Sequence, residues 1–70
     1  MDKSNLIKMA NDIGSFFKSE PDRTLAIQGV EQHIRNFWEP RMRKEIIEYL
    51  NNGGTDLLDI VAEAVKKLPH

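Results

Sequence analysis

The chain has 70 residues, 40% of them hydrophobic, with ten Lys and Arg against eleven Asp and Glu and no cysteine. That length allows one domain, 1–70, which buries about 60% of its unfolded surface around a core worth about 3–5 kcal/mol. The absence of cysteine excludes a disulfide and thiolate sites for zinc or iron–sulfur clusters, two histidines exclude a three-histidine metal site, and a net charge of −1 gives no general attraction to nucleic acid or membranes.

The apolar pattern is helical throughout. In the first segment Leu6, Met9, Ala10, Ile13, Phe16 and Phe17 recur at spacings of three and four, which predicts a helix near 4–18 with these side chains in one stripe of roughly 120°. Ser4 or Asp2 is the expected cap, and Pro21 prevents continuation of the same helix. Asp2, Lys3, Lys8, Asp12, Lys18 and Glu20 break up any secretory apolar region, and no run approaches the ~18 apolar residues of a membrane span. The expected location is cytoplasmic, with no membrane partner.

A second helix is expected near 20–38. Ser19 with Asp22 resembles a capping box, Pro21 suits a first turn, and Ile27, Val30, Ile34 and Phe37 form the inward stripe, with Trp38 one residue beyond. Pro40 disfavours helix at Glu39 yet fits the first turn of a new one. This predicts a tight corner at Trp38–Glu39 and a third helix near 40–51 with Met42, Ile46, Tyr49 and Leu50 inward. Asn51, Asn52, Gly53 and Gly54 supply a turn that accommodates positive φ. Thr55 or Asp56 is then the expected cap of a last helix near 56–68, with Leu57, Leu58, Val61, Ala64, Val65 and Leu68 inward and Pro69 as its stop. The fold class that follows is all-α, a small four-helix domain around a single core.

Catalytic chemistry is hard to assemble from these residues. The pairs Asp56/Asp59, Glu45/Glu48 and Glu31/His33 read as solvated helix faces, His33 as a boundary residue, and no glycine-rich phosphate loop is present. The expectation is a non-enzyme with no catalytic, cofactor-binding or metal-binding residues of its own.

Charge is distributed unevenly. From Arg35 to Lys44 the chain carries Arg35, Arg41, Arg43 and Lys44 against Glu39, a balance of +3 around the only tryptophan. From Glu45 to Val65 it carries Glu45, Glu48, Asp56, Asp59 and Glu63 and no basic residue, a balance of −5. One reading has the arginine stems covering the core edge and pairing locally, Glu39 with Arg43 or Glu45 with Arg41. The other is a recognition patch, because Trp and Arg are enriched in binding hot spots and arginine grips carboxylates in a two-pronged way.

The stretch His33-Ile-Arg-Asn-Phe-Trp-Glu-Pro-Arg-Met-Arg43 resembles the small delta subunit of NAD-dependent, molybdenum- or tungsten-containing formate dehydrogenases. The segment Lys8-Met-Ala-Asn-Asp-Ile-Gly-Ser-Phe-Phe17 followed by Pro21, the Gly53–Gly54 turn and the apolar final helix are similar to the same family, so the resemblance covers essentially the whole chain. It implies an accessory subunit without a cofactor, accompanying a large subunit with the molybdopterin centre and iron–sulfur clusters and subunits that handle flavin and NAD. The expected partner is the catalytic large subunit, and the expected protein-binding residues are Arg35, Trp38, Arg41 and Arg43, with Phe37 and Met42 as core. The alternatives are a small nucleic-acid-binding or regulatory domain using the Arg35–Lys44 patch, for which the acidic stretch is unfavourable, and self-association through an incompletely buried apolar face.

Overall fold

The computed structural model describes residues 3–69, which form four helices and no strand: α1 (Lys3–Phe17), α2 (Arg23–Phe37), α3 (Pro40–Asn51) and α4 (Asp59–Lys66). The expected all-α class therefore holds, and the corrections concern helix ends and facing.

The expected cap Asp2 lies outside the described residues, and Ser4 is the second residue of α1. α2 begins three residues later than its spacing suggests. Pro21 disfavours helix at Glu20, and Asp22 is a strong capping residue. Its extended backbone (φ −89°, ψ 111°) turns the side chain back to accept from the N–H groups of Thr24 (2.9 Å) and Leu25 (3.4 Å). Ser19 therefore caps nothing, and Pro21 precedes the helix.

The corner after α2 forms where Pro40 requires it. Trp38 is extended (φ −88°, ψ 140°) and still donates its N–H to the Ile34 carbonyl (2.9 Å), while Glu39 is the N-cap of α3 with Pro40 in the first turn. At the other end of α3, Gly53 and Gly54 take φ of 124° and 53°. A Cβ at Gly54 would stand 2.9 Å from the Leu50 Cα, so this turn needs glycine for both space and conformation.

α4 is shorter than 56–68, and neither Thr55 nor Asp56 caps it. Asp56 is held by Tyr49, whose hydroxyl donates to its carboxylate (3.1 Å) and accepts from its backbone N–H (3.2 Å). Leu58 is the N-cap, and its N–H donates to Oδ1 of Asn11 on α1 (2.9 Å). Leu57 and Leu68 flank the helix and are buried without belonging to it.

All four helices contribute to one core: Leu6 and Ala10 from α1, Ile27, Val30 and Ile34 from α2, Ile46 and Ile47 from α3, and Val61, Ala64 and Val65 from α4, with Trp38, Leu57 and Leu68 from the connections. α2 packs most extensively on α4. The buried face of α1 is Leu6, Ala10 and Gly14, an i, i+4, i+8 row, so Met9 and Phe16 of the expected stripe are exposed. Glycine at 14 lets α4 approach closely there.

Gly14 sets the approach. A Cβ there would fall 2.4 Å from Cγ2 of Val61 and 3.2 Å from Cδ1 of Leu58. Alanine gains about 1 kcal/mol of helix propensity, but overpacking a buried site costs about 1–3 kcal/mol. Val61 is fully buried on a short stem and cannot swing aside. Gly14→Ala is therefore expected to lower the thermal midpoint by several degrees (about 4–8 °C per kcal/mol at this size). A raised midpoint in a circular-dichroism melt would mean that α4 yields.

Candidate protein-binding surface

The α2–α3 corner reverses the expected roles of its two aromatic residues. Trp38 is 5% exposed and belongs to the core, whereas Phe37 is 73% exposed. Trp38 lies four residues after Ile34, and its extended backbone sends the indole inward. Phe37, one residue earlier in the last turn of α2, points away. Met42 is half-buried and packs against the core as expected.

The arginines separate into different roles. Arg43 is half-buried, and its Nη1 donates to the Trp38 carbonyl (2.6 Å) and the Arg35 carbonyl (3.2 Å). The last carbonyls of a helix lack intrahelical donors, so Arg43 closes the end of α2 and fixes its angle to α3. Arg35 pairs through Nε with Glu31 (3.3 Å), one turn earlier and the buried carboxylate of the core edge. The expected Glu39–Arg43 and Glu45–Arg41 pairs do not form. Arg41 and Lys44 are exposed, and their side chains have no partner among the described residues.

An apolar groove of about 540 Å³ lies between α1 and α2, lined by Asp12, Ile13, Phe16, Phe17, His33 and Phe37. Its floor is Ile13 and Phe17, which pack on the core. Phe17 lies over Gly29, where a Cβ would be 2.5 Å from the ring, so glycine is what lets the ring lie flat. Phe16, 76% exposed, meets Phe17 edge-on at 5.0 Å between centroids. On the opposite wall His33 stacks on Phe37 at 4.8 Å with a 40° tilt. Asp12 is held by Lys8 (3.0 Å).

A family model described as the NADH-dependant formate dehydrogenase delta subunit, FdsD, matches residues 5–65. The chain belongs to this family. No curated protein and no solved structure matches it. The delta-subunit match runs from Asn5 in α1 to Val65 in α4, and therefore includes both the corner and the groove.

Elsewhere on this delta-subunit chain the chemistry is sparse. Arg23 at the start of α2 forms an ion pair with Asp59 at the start of α4, and that hydrogen bond, reinforced by the carboxylate charge, pushes the guanidinium further above its ordinary value. No group of three or more His, Asp or Glu among the described residues is placed to hold a metal ion, and no described helix is long and apolar enough to cross a membrane. The groove escaped the sequence reading because both phenylalanines fit an inward stripe. The available signal was its width: α1 offers apolar residues at both i+3 and i+4, more than its single buried row uses.

Proposed function

We propose that this chain is a non-catalytic accessory subunit, a single helical domain, that binds a cytoplasmic NAD-dependent formate dehydrogenase complex and supports its assembly or stability. It contacts the catalytic large subunit and contributes no cofactor. The observation that carries this reading is the corner: Arg41 exposed and without a partner among the described residues, four residues from exposed Phe37, on a backbone fixed by Arg43. Membership of the delta-subunit family supports the choice of complex.

Of the four residues expected as contacts, Arg35 and Arg41 present guanidinium groups to solvent and are the proposed contacts. Trp38 and Arg43 act by holding the corner. A phosphate-binding reading has less support, since Arg43 is committed to carbonyls and the −5 stretch from Glu45 to Val65 repels phosphate.

Co-purification of the tagged chain with co-expressed formate dehydrogenase subunits tests the corner. Arg41→Glu/Lys44→Glu is expected to lower recovery of the large subunit by about fivefold or more, the threshold of a contact that matters. Its thermal midpoint should stay near that of the wild type, because neither side chain has a partner to lose among the described residues. Unchanged recovery removes Arg41 and Lys44 from the interface.

A further inference from the structure

Asn52 is exposed in the turn that ends α3, and of the five asparagines in the chain it alone precedes a glycine. That dipeptide is chemically labile. The side-chain amide of asparagine is open to attack by the backbone nitrogen of the next residue, and glycine, without a Cβ, crowds that nitrogen least. Gly53 takes a φ of 124° and has open space where a Cβ would stand.

We infer that Asn52 is a site of spontaneous covalent modification, and that the last turn of α3 controls its rate. The Gly53 N–H loses its proton to hydroxide, and its nitrogen bonds to Cγ of Asn52. The Cγ–Nδ2 bond breaks, and the amide nitrogen leaves as ammonia with a proton taken from water. The cyclic imide that results takes up water. Opening at Cγ gives aspartate, and opening at the backbone carbonyl gives isoaspartate, whose main chain gains a methylene. Nothing is oxidised or reduced, and water is the reagent consumed.

Three features of the structure oppose ring closure. Nδ2 of Asn52 donates to the Glu48 carbonyl (2.9 Å), which holds the amide against the helix. The Gly53 N–H donates to the Leu50 carbonyl (3.1 Å), which retains the proton that must leave. The backbone of Asn52 (φ −99°, ψ 22°) turns the Gly53 nitrogen away from the Asn52 side chain. All three depend on the final turn of α3, so one opening of that turn releases them together. Helix ends are where such opening costs least.

The product acts back on the turn. Aspartate in place of Asn52 removes the donor to the Glu48 carbonyl and sets a negative charge at the negative end of α3. Isoaspartate lengthens the chain just before Gly54, which already sits so close to Leu50 that a Cβ there would stand 2.9 Å from the Leu50 Cα. Either product loosens the end of α3.

The test keeps the full chain at neutral and at mildly alkaline pH, in buffer and in denaturing urea, and follows every asparagine by peptide mass spectrometry. Conversion is expected first at Asn52 and faster at the higher pH. It should be slower in the folded chain than in urea by about tenfold or more, a range that opening of a helix end spans. Chromatography should resolve both aspartate and isoaspartate products. Aged chain and fresh Asn52→Asp should melt below fresh wild type. Asn52→Gln, whose longer side chain closes the ring far more slowly, should keep its mass and its midpoint on ageing. Equal rates in buffer and urea overturn the control by α3, and an unchanged midpoint in Asn52→Asp overturns the effect on the turn. Conversion first at another asparagine, or Asn52 intact in the folded chain over many half-times of the unfolded one, overturns the site itself.

Discussion

Trp38→Ala is expected to unfold the chain at room temperature. The side chain is buried between the end of α2 and the core, and its indole N–H makes no hydrogen bond within the described residues, so what is lost is packing. Truncating a buried tryptophan costs about 3–5 kcal/mol, and a core of this size supplies about the same. Far-ultraviolet circular dichroism at 25 °C should show most helicity gone, with Trp38→Phe retaining a cooperative melt at a lower midpoint. Phe37→Ala, one residue earlier, should shift stability by less than about 0.5 kcal/mol, as exposed positions do. A folded Trp38→Ala beside an unfolded Phe37→Ala would mean that the two rings are assigned to the wrong sides of the corner.

That pair of neighbours also shows where sequence stops being informative. The spacing Ile27, Val30, Ile34 leaves Phe37 at i+3 and Trp38 at i+4 equally able to continue the inward stripe, since a helical face accepts either step. What separates them is the end of α2: Trp38 takes an extended backbone, and a rule of about 100° per residue no longer applies past the last helical residue. Pro40 announced the corner because its effect is local and steric. Gly53 and Gly54 announced their turn for the same reason, and both carry positive φ. The fold class, the number of helices and the boundaries of α3 were legible on such grounds.

The groove was illegible for a different reason. Periodicity reports which residues are apolar, not which partner helix lies opposite them; with α4 seated closely on Gly14, the buried row of α1 is Leu6, Ala10 and Gly14 and Phe16 faces solvent. Charge counting found the basic corner but not its division of labour. That Arg43 serves two carbonyls while Arg41 serves none depends on distances of a few ångströms, which composition does not carry.

Asn11→Ala is the second change with a large expected effect, at a residue that the pattern of apolar positions passes over. Asn11 spans from α1 to the approach of α4: its Nδ2 donates to the Asp56 carbonyl (2.8 Å), and its Oδ1 accepts from the Leu58 N–H (2.9 Å). Leu58 has no side chain able to cap, and Asp56 is occupied by Tyr49, so α4 takes its start from a residue 47 positions earlier in the chain. Deleting the amide leaves the half-buried Leu58 N–H unpaired, at a cost of about 1 kcal/mol, whereas the exposed Asp56 carbonyl can turn to water. That is roughly 4–8 °C in thermal midpoint at this size. Asn11→Leu restores volume without hydrogen bonds and should be no more stable than Asn11→Ala if the bonds are what matter. Amide exchange at Leu58 should accelerate in both variants, with α2 and α3 little changed. Wild-type stability together with unchanged Leu58 exchange would show that α4 starts without its borrowed cap.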